Sequence, residues 1–486
     1  MALMSKAKKI GIGILVILAV ALLAGWLLTR PDQAELPWAR VTGTDPELAA
    51  PRSERIPTVK IAEPVGWAAG AAPRAAAGLT VTRFAEGLDH PRTMITLPNG
   101  DVLVALTGGP KVEPEGKQNP IVEAIQGFLF KKAGSGNTPA NQVVLLRDAD
   151  GDGRAEGRFV LSGQFDSPSG LAWANDVLFV ANHDSVWAWP YRLGETKLTS
   201  APTKLMDLAA GPNHWMRNLL LSPDGSKLYV AVGSASNIGE RGMAAEEGRA
   251  LIWEYDLQSG SRRMFGAGLR NPNGMGWNPW SGELWTVVNE RDMLGSDLVP
   301  DYLTNVPVGA QYGWPWVYWK DNIDQRVKSG MPQFLTEYSR RPEYALGPHV
   351  APLGMVFSQG GARLGARFQQ GVIVANHGSW NRSPASGYEV VYVPFDARGN
   401  PGGAPVPLLT DFLTRDGTTR GRPTWLTWAR DGALLLSDDT AGIVWRVVDP
   451  KAQPAPAIVQ PPRRSLPPRR ELRGLQGAFG EDYARD

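Results

Sequence analysis

Cysteine is absent from the 486 residues, and histidine occurs only five times. The lack of cysteine excludes disulfides, thiolate metal sites and cysteine nucleophiles. The formal net charge is only +2, so there is no electrostatic argument for nucleic-acid binding. Glycine (55), proline (40) and tryptophan (18) are abundant. These counts predict many turns and large, flat packing surfaces.

A long apolar run from Ile10 to Leu28 follows Lys6, Lys8 and Lys9 near the N-terminus. As a helix this run reaches about 28 Å, roughly the thickness of a bilayer core. Residues 1–30 are consistent with an uncleaved membrane anchor or a cleaved signal peptide, and the length of the run favours the anchor. The basic flank favours translocation of the rest of the chain. We therefore expect the body of the protein in the periplasm or another space outside the cytoplasm.

Composition divides the remaining chain into three parts. Residues 31–76 are rich in proline and alanine, which predicts a linker without a core. Residues 449–486 contain two Pro-Pro-Arg-Arg repeats, which predict a disordered tail. Residues 77–448 lie between them and carry the globular domain.

One pattern recurs through this domain: a short apolar strand, a turn, and a second apolar strand. The turns are rich in proline, aspartate, asparagine and glycine, and the pattern predicts a β-hairpin. The turn and the second strand together form six segments: 98–105, 174–181, 222–231, 279–287, 366–375 and 429–437. Six regularly spaced hairpins predict an all-β protein, a six-bladed β-propeller.

One stretch interrupts the pattern. Apolar residues at helical spacing follow Pro120, and Lys131 and Lys132 suit a helix end. We expect a helix over residues 120–132. It could pack on a blade edge, cover the central face or contact a membrane surface.

The segment Gly268-Leu-Arg-Asn-Pro-Asn-Gly-Met-Gly-Trp277 holds a cation and an amide at a tight turn. Such a pair suits a flat, anionic ligand with carbonyl groups. The segment resembles the arginine-asparagine signature of quinoprotein sugar dehydrogenases, the soluble-type glucose, aldose sugar and sorbosone dehydrogenases. These enzymes carry pyrroloquinoline quinone (PQQ) on a six-bladed propeller. The resemblance implies that Arg270 and Asn271 contact the quinone carbonyl.

The same resemblance implies that His214, in Gly211-Pro-Asn-His-Trp-Met-Arg217, is the general base. An alcohol donates hydride readily only as its proton leaves, and imidazole can accept a proton at working pH. In the resembling enzymes an acidic residue orients this histidine. Ser234 stands at that position here, so either another acid or the Ser234 hydroxyl holds the ring.

Further cofactor-binding residues follow from the resemblance. Arg422 matches the first of two arginines near the cofactor carboxylates, whereas Thr424 replaces the second. Tyr344 and His349 match an aromatic and a polar residue that line the pocket. The sorbosone-like run Asn376-His-Gly-Ser-Trp-Asn-Arg382 places His377 or Arg382 near the position of a cofactor-binding lysine.

The family also implies a catalytic calcium ion, held by a Gly-Pro turn that this chain lacks. Calcium needs six to eight oxygen ligands. The equivalent loop offers four carboxylates: Glu290, Asp292, Asp297 and Asp301. The alternative is an acidic surface loop.

A second acidic loop contains Asp148, Asp150, Asp152 and Glu156. Its alternating carboxylates resemble the start of an EF-hand, but Phe159 occupies the twelfth position and cannot bind calcium. It could be a structural calcium site or a turn capped by its own backbone.

Together these features lead us to expect a PQQ-dependent dehydrogenase that oxidises a sugar C1 hydroxyl or a sugar aldehyde. Its electrons would pass to a membrane quinone or a cytochrome. Two alternatives stay open: a calcium-dependent lactonase-type propeller, and a binding propeller without catalysis. A lactonase has no use for Arg270 together with Arg422.

Overall fold

The computed structural model describes residues 6–29, 32–54, 59–110, 140–211 and 213–458. Its body is a ring of six antiparallel sheets, which confirms the expected six-bladed propeller. The strands are Pro91–Thr96, Val102–Leu106, Gln142–Arg147 and Gly157–Ser162 in blade 1; Gly170–Ala174, Val177–Ala181, Ser185–Pro190 and Thr203–Asp207 in blade 2; and Leu219–Leu221, Lys227–Val232, Leu251–Asp256 and Arg262–Ala267 in blade 3. They continue as Pro272–Trp277, Leu284–Val288, Pro300–Asn305 and Tyr344–Pro348 in blade 4; Pro352–Phe357, Gly371–Asn376, Glu389–Pro394 and Val406–Thr410 in blade 5; and Pro423–Trp428, Leu434–Asp438, Ile443–Val448 and Thr80–Ala85 in blade 6.

Four short strands complete the sheets. Arg74–Ala75 extends blade 5, Ala310–Gln311 runs parallel to the outer strand of blade 3, and Val317–Tyr318 pairs with Asn322–Ile323. Each hairpin predicted from the sequence supplies the two inner strands of one blade. The innermost strands of neighbouring blades contact one another around a central axis.

The strands are apolar because both faces of each sheet are covered. In Val102–Leu106, Leu103 and Ala105 pack against blade 2, whereas Val102 and Val104 pack against blade 6. Side chains of a strand point alternately to its two faces, so a strand buried on both sides is apolar throughout. The core of the molecule therefore lies in six layers between blades.

The ring is closed by a strand from the N-terminal side of the domain. Thr80–Ala85 pairs antiparallel with Ile443–Val448, so blade 6 contains both ends of the propeller sequence. Phe84 is buried in the layer between blades 6 and 1. Closure removes exposed inner sheet edges.

A bulge recurs where the inner strands begin. The register shifts just after Pro91, Pro272, Pro352 and Pro423. A bulge changes the direction of nearby side chains, and Arg92, Asn273 and Leu353 directly follow three of these prolines and line a central cavity. The repeated bulge thus shapes the end of the axis at which the site lies.

Residues 32–54 and 59–76 differ from the coreless linker expected from the sequence, because they pack against the propeller. Val41 and Ala62 are fully buried. The Trp67 ring contacts Phe412 and Trp445, and its Nε1 donates to Asp438 at 3.0 Å. Apolar side chains spaced along this segment therefore hold it to blades 4 to 6.

α-Helix in the described residues is limited to Lys6–Thr29 and Leu335–Tyr338, and single 3-10 turns occur at Trp38–Arg40, Met243–Glu246 and Ala366–Phe368. None of the helices described combines the length and apolar character needed to cross a membrane. The anchor or signal at residues 1–30 stays a prediction. The predicted helix 120–132 and the tail beyond residue 458 lie outside the described residues.

Candidate active site

A cavity of about 290 Å³ opens on the axis at the bulged ends of the inner strands. Loops of five blades supply its polar wall. His214 and Arg270 both line it, as do these other site residues: Arg92, Trp215, Asn271, Asn289, Glu290, Asp292, Asp301, His349, His377, Trp380, Asn381 and Arg422. A concave site with few, convergent polar groups is the usual form of a small-molecule site.

Within the described part of the chain, the imidazole ring of His214 hydrogen bonds only to Ser234. Its Nδ1 lies 2.9 Å from the Ser234 carbonyl oxygen and 3.0 Å from Ser234 Oγ. A carbonyl oxygen can only accept, so Nδ1 carries the proton and Nε2 has a free lone pair. No described residue hydrogen bonds to Nε2. The ring is thus arranged to take a proton at Nε2.

Burial lowers the pKa of His214 from 6.5 to about 3, and the nearby charge of Arg270 adds to the shift. The imidazole is therefore neutral at physiological pH. A neutral ring is the form that a general base requires.

The loop that carries His214 is fixed by buried arginines of blade 3. Arg249 donates to the carbonyls of Asn213 at 2.7 Å and Ser234 at 3.1 Å. Arg217 donates to the His214 carbonyl at 2.6 Å. His214 itself has a φ of 44°, a left-handed conformation that persists only where surrounding contacts enforce it.

Gly233 allows His214 to approach Asn271. A Cβ at Gly233 would lie 2.3 Å from Asn271 Oδ1 and 2.6 Å from His214 Cβ. Asn271 in turn donates to Asn289 Oδ1 at 3.0 Å. The absence of a side chain at residue 233 thus brings the base and the arginine-asparagine pair into one wall.

Arg270 is 4% exposed and uses all three of its nitrogens. It donates to the Asn237 carbonyl at 3.1 Å, to the Glu290 carbonyl at 2.6 Å and to Asp292 Oδ2 at 2.8 Å. Asn237 Oδ1 also accepts from Arg270 Nη2 at 2.9 Å. This network fixes the guanidinium in the cavity wall.

Asp292 joins three parts of the wall. Its Oδ1 accepts from Asn381 at 2.8 Å and lies 3.7 Å from His349 Nδ1. Burial alone would raise the pKa of Asp292, but Arg270 and His349 lower it below its ordinary value. Burial alone would lower the pKa of His349, but the Asp292 carboxylate raises it instead. The two residues therefore form a charge-coupled pair beside Arg270.

The opposite wall is basic. Arg92 donates to the Asp439 carboxylate, and His377 Nε2 lies 3.0 Å from Asp439 Oδ2. Burial alone would raise the pKa of Asp439, but His377 and Arg92 hold it well below its ordinary value. The Nε atoms of Arg92 and Arg422 are buried and have no hydrogen-bond partner among the described residues. Arg92 and Arg422 line the cavity with positive charge, so this wall is suited to an anion.

Three predicted site residues lie elsewhere. Tyr344 is fully buried between blades 4 and 5 and donates to the Gly403 carbonyl at 3.0 Å. Arg382 pairs with Asp297 at 3.1 Å, and Asp297 also accepts from the Leu36 backbone at 2.8 Å. None of these side chains lines the cavity. Long-range packing and pairing engage them instead.

The predicted calcium set of Glu290, Asp292, Asp297 and Asp301 is also not gathered around one point. Two groups of metal-ligating side chains occur in the described residues, and neither includes these four. Arg291 binds Glu290 at 3.0 Å, Arg270 binds Asp292, and Arg382 binds Asp297. The two carboxylate oxygens of Asp301 accept hydrogen bonds from the backbone N–H groups of residues 290 and 351, each at 2.7 Å. Each carboxylate thus has an internal partner.

The second acidic loop does bring Asp148, Asp150, Asp152 and Glu156 together. Their oxygens also accept from nearby backbone N–H groups, as from Gly151 to Asp148 at 2.7 Å and from Arg154 to Asp152 at 2.8 Å. The loop is largely exposed. A capped turn and a cation site both remain consistent with it.

Several site residues were not identified from the sequence. Arg92 and Asp439 come from opposite ends of the domain and meet only because blade 6 closes beside blade 1. The repeated Pro-x position at the start of the inner strands would have indicated Arg92. Asn237 and Asn381 carry no such signal, since each lies in an irregular loop.

Comparison with known proteins gives two family matches. The family model described as TrAA12-like matches residues 151–307 and 325–450, together more than half of the chain. The model described as glucose/sorbosone dehydrogenase matches residues 254–377. The second match includes the arginine-asparagine segment, and the resemblance inferred from that segment is confirmed.

Among individual proteins, a pyrroloquinoline quinone-dependent pyranose dehydrogenase of Coprinopsis cinerea is 28% identical over 342 residues, which are 57% of this chain and 46% of that protein. The chain thus spans about half the length of this relative. A Trichoderma reesei structure of Carbohydrate-Active Enzymes Family AA12 matches with a TM-score of 0.62 and 21% identity, over 78% of this chain and 98% of the other. The holo form of the Coprinopsis cinerea pyranose dehydrogenase PQQ domain matches with a TM-score of 0.58 and 23% identity, over 80% of this chain and 100% of the other. At these identities the two structures show the shared fold.

Proposed function

Since the chain belongs to the TrAA12-like family, we propose that it is a PQQ-dependent sugar dehydrogenase. The substrate would be a sugar C1 hydroxyl or a sugar aldehyde. One observation carries this proposal: a histidine with an unprotonated Nε2 shares a cavity with Arg270 and with a second, basic wall. The names of the relatives add support, because the Coprinopsis cinerea protein is described as PQQ-dependent.

The residues of the cavity fit the cofactor. PQQ is a flat quinone with three carboxylates, and the guanidinium groups of Arg92 and Arg422, which line the cavity, are suited to carboxylates. Arg92 thereby supplies a second guanidinium in place of the second arginine of the resembling enzymes, which is Thr424 here. When bound, the quinone would supply an acceptor for hydride.

His214 would remove the proton of the substrate hydroxyl at Nε2, while Nδ1 stays bonded to Ser234. Arg270 presents a positive charge that stabilises negative charge on a bound carbonyl oxygen. The contacts of Arg270 with Asn237 and Asp292 hold it in place, so little reorganisation is needed during reaction. Asn271, fixed by Asn289, presents its amide from the same wall.

The resemblance implies a calcium ion, but the four carboxylates first considered do not fit it here, because each has an internal partner. Two parts of the proposal rest on the sequence alone. Residues 1–30 would place the protein outside the cytoplasm. Electrons would leave to a membrane quinone or a cytochrome. The location is tested by fractionation of cells that express the full chain. N-terminal sequencing of the recovered protein then shows whether residues 1–30 have been cleaved.

The activity is tested with purified protein, incubated with PQQ and calcium and assayed by dye reduction with a panel of pyranoses and sugar aldehydes. We expect reduction only when PQQ is present, and a visible absorption from the bound quinone. Lactone hydrolysis without PQQ would instead support the lactonase alternative. Sugar binding without dye reduction would support a binding propeller.

A further inference from the structure

Among the residues that the structure describes, no carboxylate hydrogen bonds to the imidazole of His214, yet a buried acid lies behind its partner Ser234. Glu246 is 5% exposed and ends the 3-10 turn Met243–Glu246 in blade 3. Its Oε2 accepts from the Ala235 backbone at 2.7 Å, and its Oε1 accepts from the Ser236 hydroxyl. Glu246 thus binds the two residues that follow Ser234.

A continuous series of hydrogen bonds links this acid to the base. His214 Nδ1 donates toward Ser234 Oγ, and Ser234 Oγ donates to the Ser236 carbonyl at 2.7 Å. The Ser236 hydroxyl donates to Glu246 and accepts from the Gly239 backbone at 3.0 Å. The hydroxyl hydrogens of Ser234 and Ser236 therefore each have one acceptor. Ser234 Oγ is left with a lone pair that faces His214 Nδ1.

The Ser234 carbonyl requires a proton on Nδ1 of His214, and these bonds hold Ser234 where both its carbonyl and its Oγ meet that proton. A carboxylate accepts only, so Glu246 fixes the orientation of the Ser236 hydroxyl and of the Ala235 N–H. Glu246 thereby holds the turn from Ser234 to Ser236, in which the Ser236 carbonyl faces Ser234 Oγ. Buried, fully satisfied networks of this kind are rigid. A shift of this turn would move both acceptors of the Nδ1 proton, because both belong to Ser234.

We propose that Glu246 is a positioning residue for His214, which acts through Ser236 and Ser234 and keeps Nε2 free to accept a proton. It takes the place of the directly bonded acid that the resemblance led us to seek at residue 234. The catalytic consequence rests on the proposed function, whereas the effect on the imidazole does not.

The first test uses apoprotein labelled with ¹⁵N at histidine. Five histidines give few signals, and His214→Ala identifies that of residue 214. We expect the wild type to show a single Nδ1–H tautomer. Glu246→Gln leaves an amide that can accept only one of the two donors, so we expect a tautomer mixture. Ser236→Ala removes one hydroxyl with little packing change, so it should also give a tautomer mixture. It replaces Glu246→Gln in this test if that variant does not fold.

Glu254→Gln is the matched control, because Glu254 is equally buried in blade 3 but binds Lys227, Tyr229 and Arg263. It does not line the cavity and should leave the His214 signals unchanged. An unchanged tautomer in both Glu246→Gln and Ser236→Ala would overturn the proposal. So would an equal change in Glu254→Gln.

The second test measures turnover. We expect Glu246→Gln to lower kcat about tenfold, less than the 10²–10⁴-fold that the general base itself contributes, while KM for the sugar changes less than about twofold. Ser236→Ala with Glu246→Gln should lose no more than the stronger single variant, since both act through one series of bonds. Additive losses would contradict the inference. If the wild type oxidises no sugar, the proposed function fails and the tautomer measurement still decides this proposal.

Discussion

His214 is the side chain on which the proposed chemistry depends most directly. His214→Ala should lower kcat about 10²–10⁴-fold, the usual contribution of a general base. The affinity for PQQ should change little, because the basic wall is intact. Dye reduction and a fluorescence titration with PQQ measure the two effects. His183→Ala is the control, since His183 does not line the cavity; unchanged turnover in His214→Ala would exclude this residue as the base.

The charge state of His214 gives a prediction about pH. Burial lowers its pKa from 6.5 to about 3, so the ring stays neutral as the pH falls from 7 to 5. The ¹⁵N signals of residue 214 should therefore hardly move over this range, whereas an ordinary histidine would become mostly protonated. A titration midpoint near 6.5 would show that the ring is open to solvent.

Arg92 yields a prediction about cofactor affinity. Arg92→Met removes a guanidinium from the wall of the cavity. A hydrogen bond to a charged group contributes about 1.5–3 kcal/mol, so the Kd for PQQ should rise roughly 10- to 100-fold. Equilibrium dialysis measures it. Arg430→Met, at an exposed turn of blade 6, should leave the Kd unchanged; equal Kd values in both variants would remove Arg92 from the cofactor site.

The end of the second strand of blade 3 depends on a residue without a side chain. Gly233→Ala would force a methyl group against Asn271 and His214, so these two residues must move apart. Overpacking of this kind costs about 1–3 kcal/mol, and we expect turnover to fall at least tenfold with only a modest loss of stability. Gly402→Ala, where nothing lies within 4 Å, is the control. Equal activity in the two variants would mean that the close approach is unimportant.

The ring as a whole depends on its closing strand. A chain that begins at residue 32 keeps the packed segment and should fold like the full protein. A chain that begins at residue 87 lacks Thr80–Ala85 and loses the burial of Phe84, which alone is equivalent to about 3–5 kcal/mol. It also exposes the edge of Ile443–Val448. Thermal unfolding by circular dichroism and size-exclusion chromatography should show loss of a cooperative, monomeric fold only in the shorter chain.

The sequence was sufficient for the blades and for part of the site. Turns such as Pro223-Asp-Gly225 mark hairpins locally, and local signals identify elements well. His214 and Arg270 were predicted through the resemblance of their loop segments to a known family, and both line one cavity. The surroundings of Tyr344 and Arg382 could not be derived, because their partners, Gly403 and Asp297, are remote in the chain. Glu246 and Asn237 were missed because their roles depend on hydrogen bonds that no spacing indicates.

The closing strand also has a consequence for biosynthesis. Thr80 pairs with Val448, 368 residues later in the chain. Ribosomes add roughly 5–20 residues per second, so the earlier strand waits on the order of 20–70 s for its partner. During that interval its hydrogen-bonding edge and Phe84 are open to other chains. We expect nascent chains halted before blade 6 to bind holdase chaperones, and release to coincide with synthesis of the last strand.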